Sequence, residues 1–489
     1  MSRLSAWKKA SAVILLCAAT AIAAHGQIFN TLVSFNGSDG GNPAFVSLVQ
    51  GNDGGLYGTT YQGGTSASGT VFKISPGGIL TTLYSFCSQP RCTDGDNPEV
   101  GLALATDGNF FGTTNVGGTN MDCNGFGCGT VFEIGPEGTL TTVYSFCGQP
   151  QCADGSNPIA GLVQDTNGKL YGTTLNGGAQ NAGTVFRFSL DGIFTTLFTF
   201  DRNNGEGPIG TLIEGTNGNL YGTTGASEGG DGTAFKVTPG GELTTLTNFD
   251  GTNGASPRGL IQGDDGNLYG TTTNGGTNEN GFCNVGNGCG TVFKMTPNGT
   301  VKTLYNFCSE SGCEDGAEPL SELIQATDGN FYGTTVFGGN FTNCPSAGCG
   351  TVFRITREGA LTTLHTFDQS DGALPYGGLF QATNGMLYGT TYTGGAYGSP
   401  GTVFSLDVGL GPFVTFIRAA GKVGQTGGIL GQGFTGTTSV ALNGIQASFT
   451  VASDTYIRAT VPVGATTGYV TVTTPSSTLT SNVPFHVIK

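Results

Sequence analysis

Tryptophan occurs once in this chain and histidine three times. Trp7 and His25 both fall in the first 26 residues, a segment with Arg3, Lys8 and Lys9 ahead of an apolar run and small residues, the layout of a cleaved export signal. The mature chain therefore lacks the tryptophan platforms that carbohydrate modules favour. Only His365 and His486 remain for any serine–histidine pair or histidine-ligated metal, which argues against both chemistries. Charge is scarce too, at 10%, and one-sided: loss of residues 1–26 leaves 15 basic against 33 acidic residues, a formal charge of about −18. Such a surface repels nucleic acid and anionic lipid. No apolar stretch of membrane-spanning length follows the leader.

Glycine is abundant, with 88 residues, and it recurs at fixed offsets. Seven times an aromatic residue precedes Gly-Thr-Thr, then a Gly-Gly, then Gly-Thr-Val-Phe or a close variant; the aromatics are Tyr57, Phe111, Tyr171, Tyr221, Tyr269, Tyr332 and Tyr388. Periods near 50 residues with strand-forming composition predict an all-β repeat protein, a seven-bladed β-propeller. Each repeat divides into four strands, 44–50, 56–60, 69–74 and 80–86 in the first. Asp-Gly or Asn-Gly, such as Asp53-Gly54, joins the first strand to the second, which predicts a tight two-residue turn with both residues at positive φ. The seventh repeat has no fourth strand, whereas 28–35 reads as a fourth strand with nothing before it. That permutation predicts a propeller closed by the N-terminal strand, removing open sheet edges.

Twelve cysteines follow the leader in six close pairs: Cys87/Cys92, Cys123/Cys128, Cys147/Cys152, Cys283/Cys289, Cys308/Cys313 and Cys344/Cys349. In an exported chain such spacing favours local disulfides over zinc, since pairs come and go as whole units between repeats. All of them, with the variable inserts, fall in connections on one rim, which is the expected functional face. Candidate binding aromatics there are Phe126, Phe282, Phe341 and Tyr397. Acids on that rim include Asp122, Glu228, Asp231, Glu279, Glu310 and Glu314. An acidic or amide residue opens each fourth-to-first connection, at Asp39, Asp94, Asp154, Asn204, Asn253, Asp315 and Asp371. Asx turns before proline explain these residues; a calcium site is the rival, best placed at Asp94 with Asp96.

The tandem Leu-Tyr-Gly-Thr-Thr and Gly-Thr-Val-Phe-Lys-Ile pattern resembles the GloVer repeat proteins, over about residues 28–406. The resemblance implies a secreted or surface bacterial protein with propeller-like repeats and carries over no activity. Residues 408–489, with Gly431-Gln432-Gly433-Phe434 and Val440-Ala441-Leu442-Asn443-Gly444, resemble an IPT/TIG domain, an immunoglobulin-like sandwich. The chain thus reads as a leader (1–26), a repeat body (27–407) and a C-terminal Ig-like sandwich (408–489). The expected function is a non-catalytic scaffold, monomeric and without cofactor, secreted or at the cell surface. It would bind an extracellular protein or glycan through the stapled loops. The alternative is an enzyme, hydrolase or lyase, acting on extracellular polysaccharide through carboxylates or tyrosine at the loop-rich mouth.

Overall fold

The computed structural model describes residues 27–123, 125–226, 230–278, 283, 288–396 and 400–488; the leader expected at 1–26 lies outside them. Strands of the first repeat are Val49–Gln50, Leu56–Thr60, Thr70–Ile74 and Leu80–Ser85, hydrogen-bonded in that order, and the other repeats follow suit. The first strand is much shorter than expected, because residues 44–48 leave the ladder to line a cavity. Ile28–Ser34 pairs antiparallel with Thr402–Asp407, as the permuted register implies.

The expected closed seven-bladed β-propeller followed by an Ig-like sandwich is corrected at the level of the sheets. The described strands fall into ten separate open sheets, mostly of four strands, and none closes into a barrel or curls strongly. The physical reason is local: each meander satisfies its backbone ladder within its own strands, so side chains and single backbone hydrogen bonds, such as Asn97 N–H to the Ser68 carbonyl, join one repeat to the next without a shared ladder. The fold is all-β and built of repeated small sheets. The two-residue turn is corrected as well. Gly51 N–H bonds to the Gly55 carbonyl and Gly54 N–H to the Gly51 carbonyl, with positive φ at Gly54 and not at Asp53. A longer loop with one left-handed glycine needs only that glycine, which explains why Asp and Asn alternate before it.

The repeated motif is intelligible residue by residue. The second threonine of Gly-Thr-Thr bonds the threonine of Gly-Thr-Val-Phe within each repeat, as Thr60 does Thr70 at 2.8 Å. In six repeats the first threonine reaches a carbonyl of the following repeat, as Thr59 does that of Val100 at 2.8 Å; Thr173 of the third repeat does not. Gly69 holds φ +93 under the ring of Pro98, where a Cβ would come within 2.6 Å of the proline. Phenylalanines then pair edge-on between repeats: Phe35–Phe72, Phe86–Phe132, Phe146–Phe186, Phe200–Phe235, Phe249–Phe293, Phe307–Phe353 and Phe367–Phe404 all have ring centroids 5.1–5.3 Å apart. Each such pair contributes about 0.5–1.5 kcal/mol beyond its buried area.

A glutamine or glutamate ending the first strand caps the preceding repeat's turn at six seams, for example Gln164 to the Thr106 amide and Gln50 to the Thr383 amide. Leu104 occupies that position at the seam between the first two repeats. There the Asn52 carbonyl instead accepts from Thr455 Oγ1 at 2.7 Å and from Ser453 Oγ. Both donors belong to the C-terminal residues, which form two four-stranded antiparallel sheets around Val414, Ile429, Phe434, Val440, Ile457 and Val472. Phe413 N–H also bonds the Thr383 carbonyl, so this unit rests on the tight-turn rim and leaves the opposite rim uncovered by it.

Candidate functional site

Each cysteine among the described residues is bonded to its near neighbour in sequence: Cys87 to Cys92, Cys123 to Cys128, Cys147 to Cys152, Cys283 to Cys289, Cys308 to Cys313 and Cys344 to Cys349. The sulfurs of Cys123, Cys128, Cys147 and Cys152 lie within 4.8 Å of one another, a spacing that four zinc ligands would share. Joined as two disulfides, they offer no thiolate. The six expected pairs are thus formed, and several of their sulfurs lie in the core. Cys313 is 1% exposed and Cys349 is fully buried, as are Cys128, Cys283 and Cys289 to within 1%. Cys313 packs in one cluster with Phe307, Ala317 and Phe353, and Cys349 in another with Val352, Phe367 and Leu379. The reason is position: Cys349 directly precedes the Gly-Thr-Val-Phe strand, and Cys313 precedes the buried Asp315, so each bridge ties its loop to the repeat core. These sulfurs anchor loops from beneath and present nothing to a ligand.

The bridges organise the loops around the Asx positions. Asp94 is buried and accepts from the Tyr84 hydroxyl, the Ser88 amide and hydroxyl and the Gln89 amide. Asp154 and Asp315 repeat the pattern with Tyr144 and Tyr305, and Asp371 takes His365 in the tyrosine's place at 2.9 Å. Protein donors thus occupy the Asp94 carboxylate, and the pKa of Asp96 is raised, chiefly by burial and also by the charge of Asp94. His365 also stacks on Phe29, 3.7 Å between centroids, so its role is that of a loop-organising aromatic.

The candidate loop residues do not converge. Phe126 is 72% exposed, Phe341 is half-buried, and Phe282 and Tyr397 lie outside the described residues, as do Glu228 and Glu279. Asp122, Glu310 and Glu314 are exposed and Asp231 is half-buried. The tyrosines of the repeated motif are not a ring of free phenols either. Tyr57, Tyr269 and Tyr332 are buried and donate to the turn carboxylates Asp53, Asp265 and Asp328 at 2.9 Å.

What converges is the short segment between each recurring proline and the leucine that precedes the first strand. All seven repeats contribute these residues to one cavity of about 220 Å³. Most positions there are small or aliphatic: Gly101, Gly161 and Gly378, with Ile159, Ile209 and Leu320. Two repeats change length. The first has one extra residue between Pro43 and Leu48, which places Phe45 in the cavity on a left-handed backbone (φ 43). The fifth is one residue short between Pro257 and Leu260, and there Arg258 enters.

Three polar groups give the cavity its chemistry. Arg258 donates Nε–H to Thr273 Oγ1 at 2.8 Å, and its guanidinium carbon stands 5.8 Å from the centroid of the Phe45 ring, a cation–π contact between the fifth and first repeats. Burial pulls its pKa down to about 10, so it stays charged at neutral pH. Among the described residues no carboxylate pairs with it. Glu322 sits where the other repeats carry Ser47, Gly101, Gly161, Thr211, Gly259 and Gly378. Its side chain lies over Gly259, where a Cβ would come within 2.1 Å of it, and its Oε1 accepts from the Thr211 amide at 3.0 Å. Burial raises its pKa, and the Thr211 hydrogen bonds oppose that rise only in part. Tyr376 stacks on Phe45 (5.7 Å) and lies 4.8 Å from Tyr392, forming an aromatic wall. Burial likewise raises the pKa of Glu318 and of Glu99, which is held by Asn115 at 2.8 Å.

A buried acid biased toward its protonated form, an unpaired guanidinium and an aromatic wall can together bind a polar ring compound and give it a proton. Sequence reading missed Arg258, Glu322, Phe45 and Tyr376. The signal was present, in the two length changes and in one glutamate among small residues when the seven copies are set side by side.

Among solved structures, the chain is similar to a catalytically inactive variant of virginiamycin B lyase from Staphylococcus aureus with quinupristin: TM-score 0.51, 13% identity, covering 78% of this chain and 99% of that one. It is also similar to a fungal alcohol oxidase in complex with copper: TM-score 0.48, 12% identity, covering 92% and 98%. At such identities the likeness concerns the fold alone. No curated protein matches. The Gloeobacter/Verrucomicrobia repeat matches residues 18–151, 125–285 and 282–448. With most of its length so matched, the chain belongs to the Gloeobacter/Verrucomicrobia repeat family.

Proposed function

We propose that the protein is an exported enzyme that cleaves an extracellular polysaccharide, as hydrolase or lyase, at the cavity bounded by Arg258, Glu322 and Tyr376. The observation that carries this reading is Glu322, the one acid among small residues in its layer of the cavity, with its pKa raised by burial. A carboxyl whose pKa is raised by burial suits proton donation to a departing glycosidic oxygen. In hydrolysis that proton goes to the leaving oxygen as the carbon–oxygen bond breaks. Water then gives its hydroxyl to the anomeric carbon and its proton back to the enzyme. Phe45 and Tyr376 offer faces on which a sugar ring can stack. Export fits six disulfides, which persist in oxidising compartments. Residues 408–489, which resemble an IPT/TIG domain, would act as a docking module on the far rim.

The experiment is incubation of the protein with a panel of extracellular polysaccharides, scored for new reducing or unsaturated ends. The wild type should release them from at least one polymer. Glu322→Gln should slow release by about 10²–10⁴-fold, with the protein still folded cooperatively. Binding of a polymer with no new ends from any of them would contradict the enzyme reading. It would favour a non-catalytic scaffold acting through the stapled loops, a reading supported by the exposed ring of Phe126 between Cys123 and Cys128.

A further inference from the structure

We infer that the cavity selects a sugar bearing a carboxylate, so that the substrate class is an acidic, uronate-containing polysaccharide; this rests on the cleavage reading of the same site. The Arg258 guanidinium carries five N–H donors in a planar fork, and only Nε–H finds an acceptor among the described residues. Phe45 faces the cation but accepts no directed hydrogen bond from it at 5.8 Å. A buried charge without a counter-ion is costly, and proteins ordinarily pair it.

Nearby acids do not fill that role. Glu322 directs Oε1 to the Thr211 amide, and Glu99 accepts from Asn115 Nδ2. Lys73–Asp53 and Lys294–Asp265 lie at the turns between first and second strands, and Arg202–Glu206 and His365–Asp371 lie at the connections that follow fourth strands. Arg258 is therefore the cavity's cation, and its Nη groups are open to an anion from outside. The sequence isolates it: its repeat is one residue short before the leucine, and the corresponding positions of the neighbouring repeats are Ile209 and Leu320. A planar carboxylate matches the guanidinium fork with two parallel bonds. With Phe45 and Tyr376 beside it, a uronate ring has both a charge partner and stacking faces. A highly sulfated chain would call for several cations, whereas Arg258 stands alone.

The test is calorimetric titration of the Glu322→Gln protein, whose turnover should be slow on that timescale, with a trigalacturonate, its neutral galactose counterpart and a sulfated galactose trisaccharide. The acid should bind about 10- to 100-fold more tightly than the neutral sugar, the gain of a charge-assisted hydrogen-bonded pair. Arg258→Met, which keeps the stem and removes the charge, should erase that preference. Arg258→Lys should lose most of it, because an ammonium cannot form the fork, and this variant decides the matter if Arg258→Met does not fold. Equal affinity for acid and neutral sugars, tighter binding of the sulfated sugar, or a preference that survives both substitutions would overturn the inference. Uronate binding through Arg258 with no cleavage of any polymer would overturn the cleavage reading alone. Cleavage confined to neutral polymers would overturn the uronate reading alone.

Discussion

Two sets of positions in each repeat obey opposite rules. The Gly-Thr-Thr and Gly-Thr-Val-Phe residues are nearly invariant across seven copies, and three contacts recur in all of them: threonine to threonine, phenylalanine to phenylalanine, glycine under proline. The residues between proline and leucine, a few positions away in sequence, differ in every copy and in length. Repetition therefore encodes the scaffold, because each copy must solve the same packing problem. Departure from repetition marks the cavity, where all seven copies meet and identical side chains would crowd one another or offer no distinct chemistry.

The contrast can be broken from either side. The largest expected effect is on the repeating side. Phe132 is fully buried and packs edge-on against Phe86, so Phe132→Ala should cost about 3–5 kcal/mol of stability. Sugar affinity of the protein that remains folded should be unchanged; chemical denaturation and titration measure the two separately. On the non-repeating side, Gly259→Ala places a methyl group where the Glu322 side chain now lies. Overpacking of this kind costs about 1–3 kcal/mol. Cleavage, however, should fall as strongly as in Glu322→Gln, because the carboxyl must leave its place beside the Thr211 amide. Retained activity in Gly259→Ala would show that Glu322 needs no fixed seat.

The smallest effect is in the pH dependence of stability. Burial raises the pKa of Glu322 in the folded state above its unfolded value of about 4.3. The folded protein then holds this proton more tightly than the unfolded chain. The resulting stability is complete below the unfolded pKa and is lost as pH rises through the folded one. Glu99 and Glu318 shift the same way, but they cancel when wild type and Glu322→Gln are compared. The melting-temperature difference, wild type minus Glu322→Gln, should therefore fall with rising pH across that window and then level off. A flat difference would mean that burial does not act on this carboxyl.

Much of the scaffold was legible in the chain itself. Hairpin order followed from turn residues, and the pairing of Ile28–Ser34 with Thr402–Asp407 followed from the permuted first copy. The closed propeller was overdrawn, because periodicity reports how often a unit recurs and not how its sheets are joined. Turn type was misjudged where one left-handed glycine suffices. Cysteine spacing gave the partners but not the burial of Cys313 and Cys349, which depends on how their loops fold back onto the core. The cavity was hidden for a different reason: Phe45, Arg258 and Glu322 come from the first, fifth and sixth copies, more than 270 positions apart at the extremes, and only the fold brings them together. Attention to exposed loop aromatics and acids favoured Phe126, Asp122 and Glu310, which remain at the surface.

The most direct test of the account is a crystal structure of the Glu322→Gln protein soaked with trigalacturonate. The account predicts the sugar in the cavity, its carboxylate on the Arg258 guanidinium and its ring against Phe45 or Tyr376. Sugar bound instead on the disulfide-stapled loops near Phe126, with the cavity empty, would contradict it.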